Sequence, residues 1–160
     1  IEPALKPAVN NIKDGKILVM ATPMTLKEAK FHKLLDRYRD KREIEPVPCG
    51  GLMEYVEQGI LEGDELDDYL REKLKPFMDS KISSIVLGCT HYPFVKNAIE
   101  KVVGQDVDII DGSLGTAREL MRRLKEKDLL NDSKEKGTIE MINSSNKQEL
   151  IDLSWKLIEM

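Results

Sequence analysis

The residues best suited to chemistry lie in one run, Gly88-Cys89-Thr90-His91-Tyr92-Pro93-Phe94, directly after the apolar stretch Ile85-Val86-Leu87. A buried strand ending this way hands a thiol, a hydroxyl and an imidazole to the carboxyl edge of a sheet. Open α/β folds bind small molecules at that edge. A thiol becomes a base or nucleophile where a helix N-terminus or an imidazolium favours its thiolate. Cys89 sits between the strand and a helix that Pro93 is expected to open, and His91 follows in the same loop. The Thr90 hydroxyl and the loop N–H groups suit a carboxylate, because helix starts bind anions.

Other reactive residue types read differently. Cys49, in Pro48-Cys49-Gly50-Gly51, has no acid or imidazole beside it and reads as packing or a turn. His32 lies mid-helix among charges and reads as a surface residue. With two cysteines and two histidines in the chain, and Cys89 and His91 their only close pair, no metal site is expected.

The elements that must hold this loop follow from hydrophobic periodicity. Lys16–Ala21 is a compact strand after the turn Asp14-Gly15. Thr22-Pro23-Met24-Thr25 then opens a helix, capped by Thr22 or Thr25, whose apolar positions run from Leu26 to Tyr38. Glu43–Val47 is a short second strand. Leu52–Gln58 is a helix stopped by Gly59, and Gly63–Met78 is a longer one with Asp64 and Glu65 in its first turn, where the helix dipole favours acids. Ser83–Leu87 and Val107–Ile110 are the third and fourth strands. A helix runs from Pro93 to Gly104 and another from Leu114 to Lys125. Lys125–Gly137 reads as an exposed linker, Thr138–Ile142 alternates as a strand should, and Asn146 caps a last helix through Ile158. Successive β-then-α units imply an α/β fold, a mostly parallel sheet flanked by helices on both faces.

Composition narrows the function classes. A chain of 160 residues is ordinarily one domain, and 41% apolar with 34% charged and 5% aromatic residues is the profile of a soluble, helix-rich α/β protein. The net charge of −4, with Lys and Arg interleaved among Asp and Glu, argues against nucleic acid as a partner. No secretory h-region and no 18-residue apolar span occurs, so the expected compartment is the cytoplasm with both thiols reduced, and no membrane partner is expected. The chain starts at Ile1 without an initiator Met and is expected to be a piece of something longer.

The string Gly88-Cys89-Thr90-His91-Tyr92-Pro93-Phe94 resembles the second catalytic signature of the glutamate racemases. These are the cofactor-independent isomerases that supply D-glutamate for bacterial cell-wall synthesis and cell shape. Ile1-Glu2-Pro3, Ala21-Thr22-Pro23-Met24-Thr25, Cys49 through Glu57 and Gly59, and Ile110-Asp111-Gly112-Ser113 resemble further family segments in order and spacing. Gly50-Gly51 departs from the family's usual Pro after that cysteine, and the match weakens after about Lys125. The resemblance implies one of two pseudo-symmetric α/β domains that face each other across a cleft, each giving one cysteine to a two-base proton transfer. Cys89 matches the second cysteine, Thr90 and His91 match residues that bind substrate and assist that thiol, and Glu57 aligns with a family acid that would support His91.

The family's first domain carries an Asp-Ser-Gly-x-Gly-Gly loop and a Gly-x-Cys-Asn-Thr loop, and neither occurs in this sequence. The resemblance therefore implies the C-terminal portion only. Residues 1–136 would form the second domain, led in by residues 1–15, and residues 137–160 a strand and helix that return to the missing N-terminal domain. The partners so implied are glutamate and that domain. The apolar face of Leu150, Ile151, Leu153, Trp155, Leu157 and Ile158 would otherwise be exposed or pair with another copy as a homo-oligomer. The alternatives are an aspartate-type racemase of the same superfamily, against which His91 speaks, and a non-catalytic α/β binding module with Cys89 merely buried. A Cys-His acyl-transfer enzyme comes third, because it needs an orienting group and an oxyanion hole that the sequence does not point to.

Overall fold

The computed structural model describes residues 1–145 and 147–159. It divides into two compact units, Ile1–Ala117 and Arg118–Met160.

In the first unit the apolar runs become β1 (Lys16–Ala21), β2 (Ile44–Pro48), β3 (Ile82–Leu87) and β4 (Asp108–Ile110). All pairs are parallel and the order is β2-β1-β3-β4, a four-stranded sheet. The two central strands are buried along almost their whole length, as interior strands of a parallel sheet covered on both faces must be. Register pairs Ala21 with Pro48 and Met20 with Leu87, so the carboxyl ends of β1, β2 and β3 finish side by side.

Helices cover both faces. On one face α1 (Glu2–Val9) and α3 (Ala29–Asp36) set Ala4, Leu5, Ala8, Val9, Phe31 and Leu34 against Ile17, Val19 and Val86. Side chains alternate along a strand, so Leu18, Met20, Ile85 and Leu87 point the other way. Further buried apolar residues of the unit come from α4 (Leu52–Glu57), α5 (Asp64–Leu74) and α6 (Lys96–Val103), among them Leu52, Val56, Leu66, Leu70, Leu74 and Ile99. Asp67, 1% exposed in the first turn of α5, pairs with Lys101 of α6 and so ties the two helices together.

The fold differs from the sequence expectation at several points, each with a physical cause. Residues 1–15 hold a helix, α1, which two prolines, Pro3 and Pro7, hide from a propensity reading; its small buried Ala4 and Ala8 let it lie close on the sheet. The helix expected from Thr22 to Tyr38 is two, α2 (Pro23–Lys27) and α3, because Glu28 between them is extended (φ −68°, ψ 134°). Thr22 caps α2, its hydroxyl accepting the Thr25 N–H at 3.2 Å. The α5 helix stops at Leu74 and a 3-10 turn, Lys75–Phe77, follows, since Pro76 has no N–H to continue the ladder. Pro93 likewise sits in a 3-10 turn, Tyr92–Val95, and α6 begins only at Lys96.

The last helix of the first unit, α7 (Ser113–Glu126), runs on into the second. In that second unit, Glu119 takes Arg122 and Arg123, which hold its carboxyl down at about 2. α8 (Gln148–Ile158) turns Leu150, Ile151, Leu153, Trp155 and Leu157 to a half-buried face, while Ile158 is exposed. Over Thr138–Ile142, expected as a strand, the described residues of this chain make no ladder, and Ile139 and Ile142 are exposed. Alternating side chains make a strand only where another backbone takes up the N–H and C=O groups. The cap expected at Asn146 lies outside the described residues.

Candidate functional site

The strand order creates the site before any side chain is considered. From β1 the chain turns one way to β2, then passes over β1 to β3 and continues the other way to β4. Connections leaving β1 and β3 therefore diverge at their carboxyl ends, and this is the topological switch point, where open α/β sheets in general bind ligands. Thr22 follows β1 and Gly88-Cys89 follows β3 at that point.

Gly88 is there for close approach. Its N–H donates to the Met20 carbonyl at 2.8 Å, and a Cβ would lie 3.0 Å from both that oxygen and the Ala21 Cβ. The next residue, Cys89, is partly exposed at the switch point, Thr90 is exposed, and His91 is partly buried. The Cys89 Sγ faces His91 Nδ1 at 3.7 Å, and His91 Nε2 faces Glu57 Oε1 at 3.4 Å. A thiol, an imidazole and a carboxylate thus stand in line. With the Nε2 proton directed at Glu57, the neutral ring accepts from the Cys89 thiol at Nδ1; the protonated ring donates at both ends and stabilises a thiolate.

Glu57 arrives from a separate element. Gly51, at φ +95°, precedes α4, and Gly59, at φ +74°, closes it with the Ile60 N–H donating to the Tyr55 carbonyl at 2.8 Å. The helix is therefore cut off one turn after it starts its last residues, which leaves Glu57 at its end beside His91.

Cys49 lies in the turn after β2 and is 1% exposed. Its N–H donates to the Ala21 carbonyl at 2.9 Å and its thiol to the Val47 carbonyl at 3.4 Å. Burial pushes the Cys49 thiol up to about 12, so it is a protonated packing group. His32 is exposed on α3 and stands away from this loop in the chain, its ring edge against Phe31. At the end of β4, the Ser113 hydroxyl and the Ser113 N–H, which donates to Asp111 at 2.7 Å, hold the Asp111 carboxyl below the usual range. Among the described residues no helix is long and apolar enough to cross a membrane.

One residue of the site is not legible as such in the sequence. Tyr92 is fully buried, and its hydroxyl donates to the Cys49 carbonyl at 2.9 Å. The only sequence signal is general: a buried tyrosine needs a partner for its O–H, and periodicity does not say which.

No protein-family model matches the chain. It is 54% identical over 160 residues, 100% of its length, to a glutamate racemase of Clostridium perfringens, and 52% identical over 159 residues to one of Clostridium botulinum. It spans 62% of the length of each of these relatives. A crystal structure of glutamate racemase from Francisella tularensis in complex with D-glutamate superposes with a TM-score of 0.76 at 26% identity, covering 98% of this chain and 59% of the other. A glutamate racemase isoform from Bacillus anthracis superposes at 0.72 with 31% identity, covering 82% of this chain and 50% of the other. The chain is a homologue of the glutamate racemases, corresponding to the C-terminal 62% or so of their length, and it shares their α/β fold.

Proposed function

We propose that this chain carries one half of a glutamate racemase site, with Cys89 as one of two opposed thiol bases. The observation that carries the reading is the line Cys89–His91–Glu57 at the switch point, in a chain whose relatives are named glutamate racemases. The Cys89 thiolate takes the α-proton from one enantiomer of glutamate, and a second thiol gives its own proton to the opposite face of the carbanion. Configuration inverts, and the two thiols exchange protonation states. The α-carbon is a very weak acid. Without a cofactor to spread the charge, the step rests on a close, oriented thiolate and on fixed donors around the substrate carboxylate.

In this reading the Thr90 hydroxyl and the loop N–H groups hold that carboxylate, His91 binds substrate and assists the thiol, and Glu57 orients the imidazole. The second thiol comes from a first domain outside these 160 residues, because Cys49 is buried and protonated. Residues 1–136 would be the second racemase domain, and residues 137–160 would pack on the first. The product, D-glutamate, would serve peptidoglycan synthesis in the cytoplasm.

The test is the optical signal of L-glutamate followed by circular dichroism, together with proton NMR of α-hydrogen exchange in deuterated water. The 160-residue chain alone is expected to leave the optical signal steady, whereas a protein joining it to a first domain with its own cysteine is expected to racemise. Cys89→Ala in that longer protein should abolish racemisation. Racemisation by the isolated chain, or by the Cys89→Ala protein, overturns the reading.

A further inference from the structure

We infer that Tyr92 is a positioning residue of the Cys89 site, acting through its hydrogen bond to the Cys49 carbonyl. The inference rests on the reading of Cys89 as the reactive thiol. Three groups line up there, and they come from two separate segments: Cys89 and His91 from the loop after β3, Glu57 from the α4 helix that follows the turn after β2. Something must set the distance between those segments to within a few tenths of an ångström, since a hydrogen bond weakens steeply outside its range.

Tyr92 does this from inside. It is the residue after His91, it is 0% exposed, and its backbone N–H donates to the Cys89 carbonyl at 3.3 Å. Its hydroxyl reaches across to the Cys49 carbonyl at 2.9 Å, in the turn that leads through Gly50 and Gly51 into α4. One side chain therefore fastens the Cys89-His91 loop to the segment that delivers Glu57. Burial pushes the Tyr92 hydroxyl far above the ordinary tyrosine value, with Cys49, Cys89, Tyr69 and Glu54 adding to it, so it stays a donor. Titratable groups acting on the pair include Cys89, Tyr69 and Glu54, together with Lys73, which acts on Cys49.

The same turn has a second clasp of the same kind that leads elsewhere. The Tyr69 hydroxyl, from α5, donates to the Gly50 carbonyl at 2.9 Å. Tyr69→Phe removes a hydroxyl-to-carbonyl bond from the turn without touching the Cys89 loop. It separates a role in positioning from a role in holding the turn.

The experiment measures the rate of Cys89 alkylation by iodoacetamide in the 160-residue chain at pH 7 and pH 9.5, resolved from Cys49 by peptide mass spectrometry. Tyr92→Phe is expected to lower the pH 7 rate about three- to tenfold while changing the pH 9.5 rate less than about twofold, because thiols in general are largely ionised at high pH whatever stands beside them. Tyr69→Phe is expected to change neither. An ester in place of the Cys49–Gly50 amide weakens the acceptor carbonyl with Tyr92 intact, and should reproduce the loss at pH 7; it also serves if Tyr92→Phe does not fold. The inference is overturned if Tyr92→Phe and the ester keep the wild-type rate at pH 7, or if Tyr69→Phe loses it equally. If wild-type Cys89 reacts at pH 7 no faster than in the urea-unfolded chain, the reading of Cys89 as an activated thiol falls too, which the wild type alone reveals.

Discussion

At the scale of single residues the two cysteines divide cleanly by environment. Cys89 is partly exposed at the switch point with an imidazole in reach, while Cys49 is sealed, and burial pushes its thiol up to about 12. Brief labelling of the native chain with iodoacetamide at pH 7.5 should therefore modify Cys89 alone. Cys89→Ser should remove the label, and Cys49→Ser should leave it in place. Peptide mass spectrometry checks both, and substantial labelling at Cys49 in the folded chain would contradict the burial. The sequence pointed to Cys89, His91 and Thr90 through adjacency. Glu57 came only from the resemblance, and Tyr92 from neither, since its partner carbonyl is 43 residues away.

At the scale of elements, the ends of β1 and β3 meet at Gly88. A Cβ there must displace the Met20 carbonyl or the Ala21 side chain, each 3.0 Å off. Gly88→Ala is expected to destabilise the chain by about 1–3 kcal/mol, as small-to-large changes in tight sites do, read as a lower urea midpoint. The opposite edge of the sheet is held by Arg42. Its guanidinium donates to the carbonyls of Asn11 (2.8 Å), Lys13 (2.7 Å) and Gly15 (3.1 Å) and to the Ser83 hydroxyl (2.9 Å). This binds the lead-in to β1 onto β3. Arg42→Lys cannot reproduce a planar fork, and a loss of about 2 kcal/mol is expected in the same measurement, in line with hydrogen bonds to a charged donor. A loss under about 0.5 kcal/mol, the range of ordinary surface changes, would show the fork to be dispensable.

Strand positions were legible because a parallel sheet covered on both faces demands unbroken apolar runs, and Lys16–Ala21 is one. The helix boundaries were less so. Glu28 carries no breaker signature, and α1 was hidden by Pro3 and Pro7 although its buried face is ordinary. Thr138–Ile142 alternates as a strand does, but within these 160 residues no backbone among the described residues pairs with it.

For the whole molecule, charge sets the response to acid. Asp108 is held below the usual carboxylate range by hydrogen bonds from Lys13 and Asn11, and Asp111 by Ser113. Groups depressed in the folded state contribute stability that is present above the unfolded value, about 4, and is lost as pH falls through the lower folded value. Urea midpoints should hold from pH 7 to about 5 and fall below about 4. Asp111→Asn should shrink that fall, and an unchanged slope would show that this carboxyl does not contribute. Glu119, exposed in the second unit, is screened by solvent and is expected to matter little.

The sequence by itself determined a parallel α/β sheet and a thiol and imidazole at the end of its third strand, because burial on two faces and adjacency in the chain are local properties. Only the tertiary structure decided that β3 lies beside β1, that Glu57 meets His91, and that Tyr92 reaches the Cys49 carbonyl. Those relations join residues far apart in the chain. They depend on strand order and on where each helix is cut off, and no window of neighbouring residues contains that information.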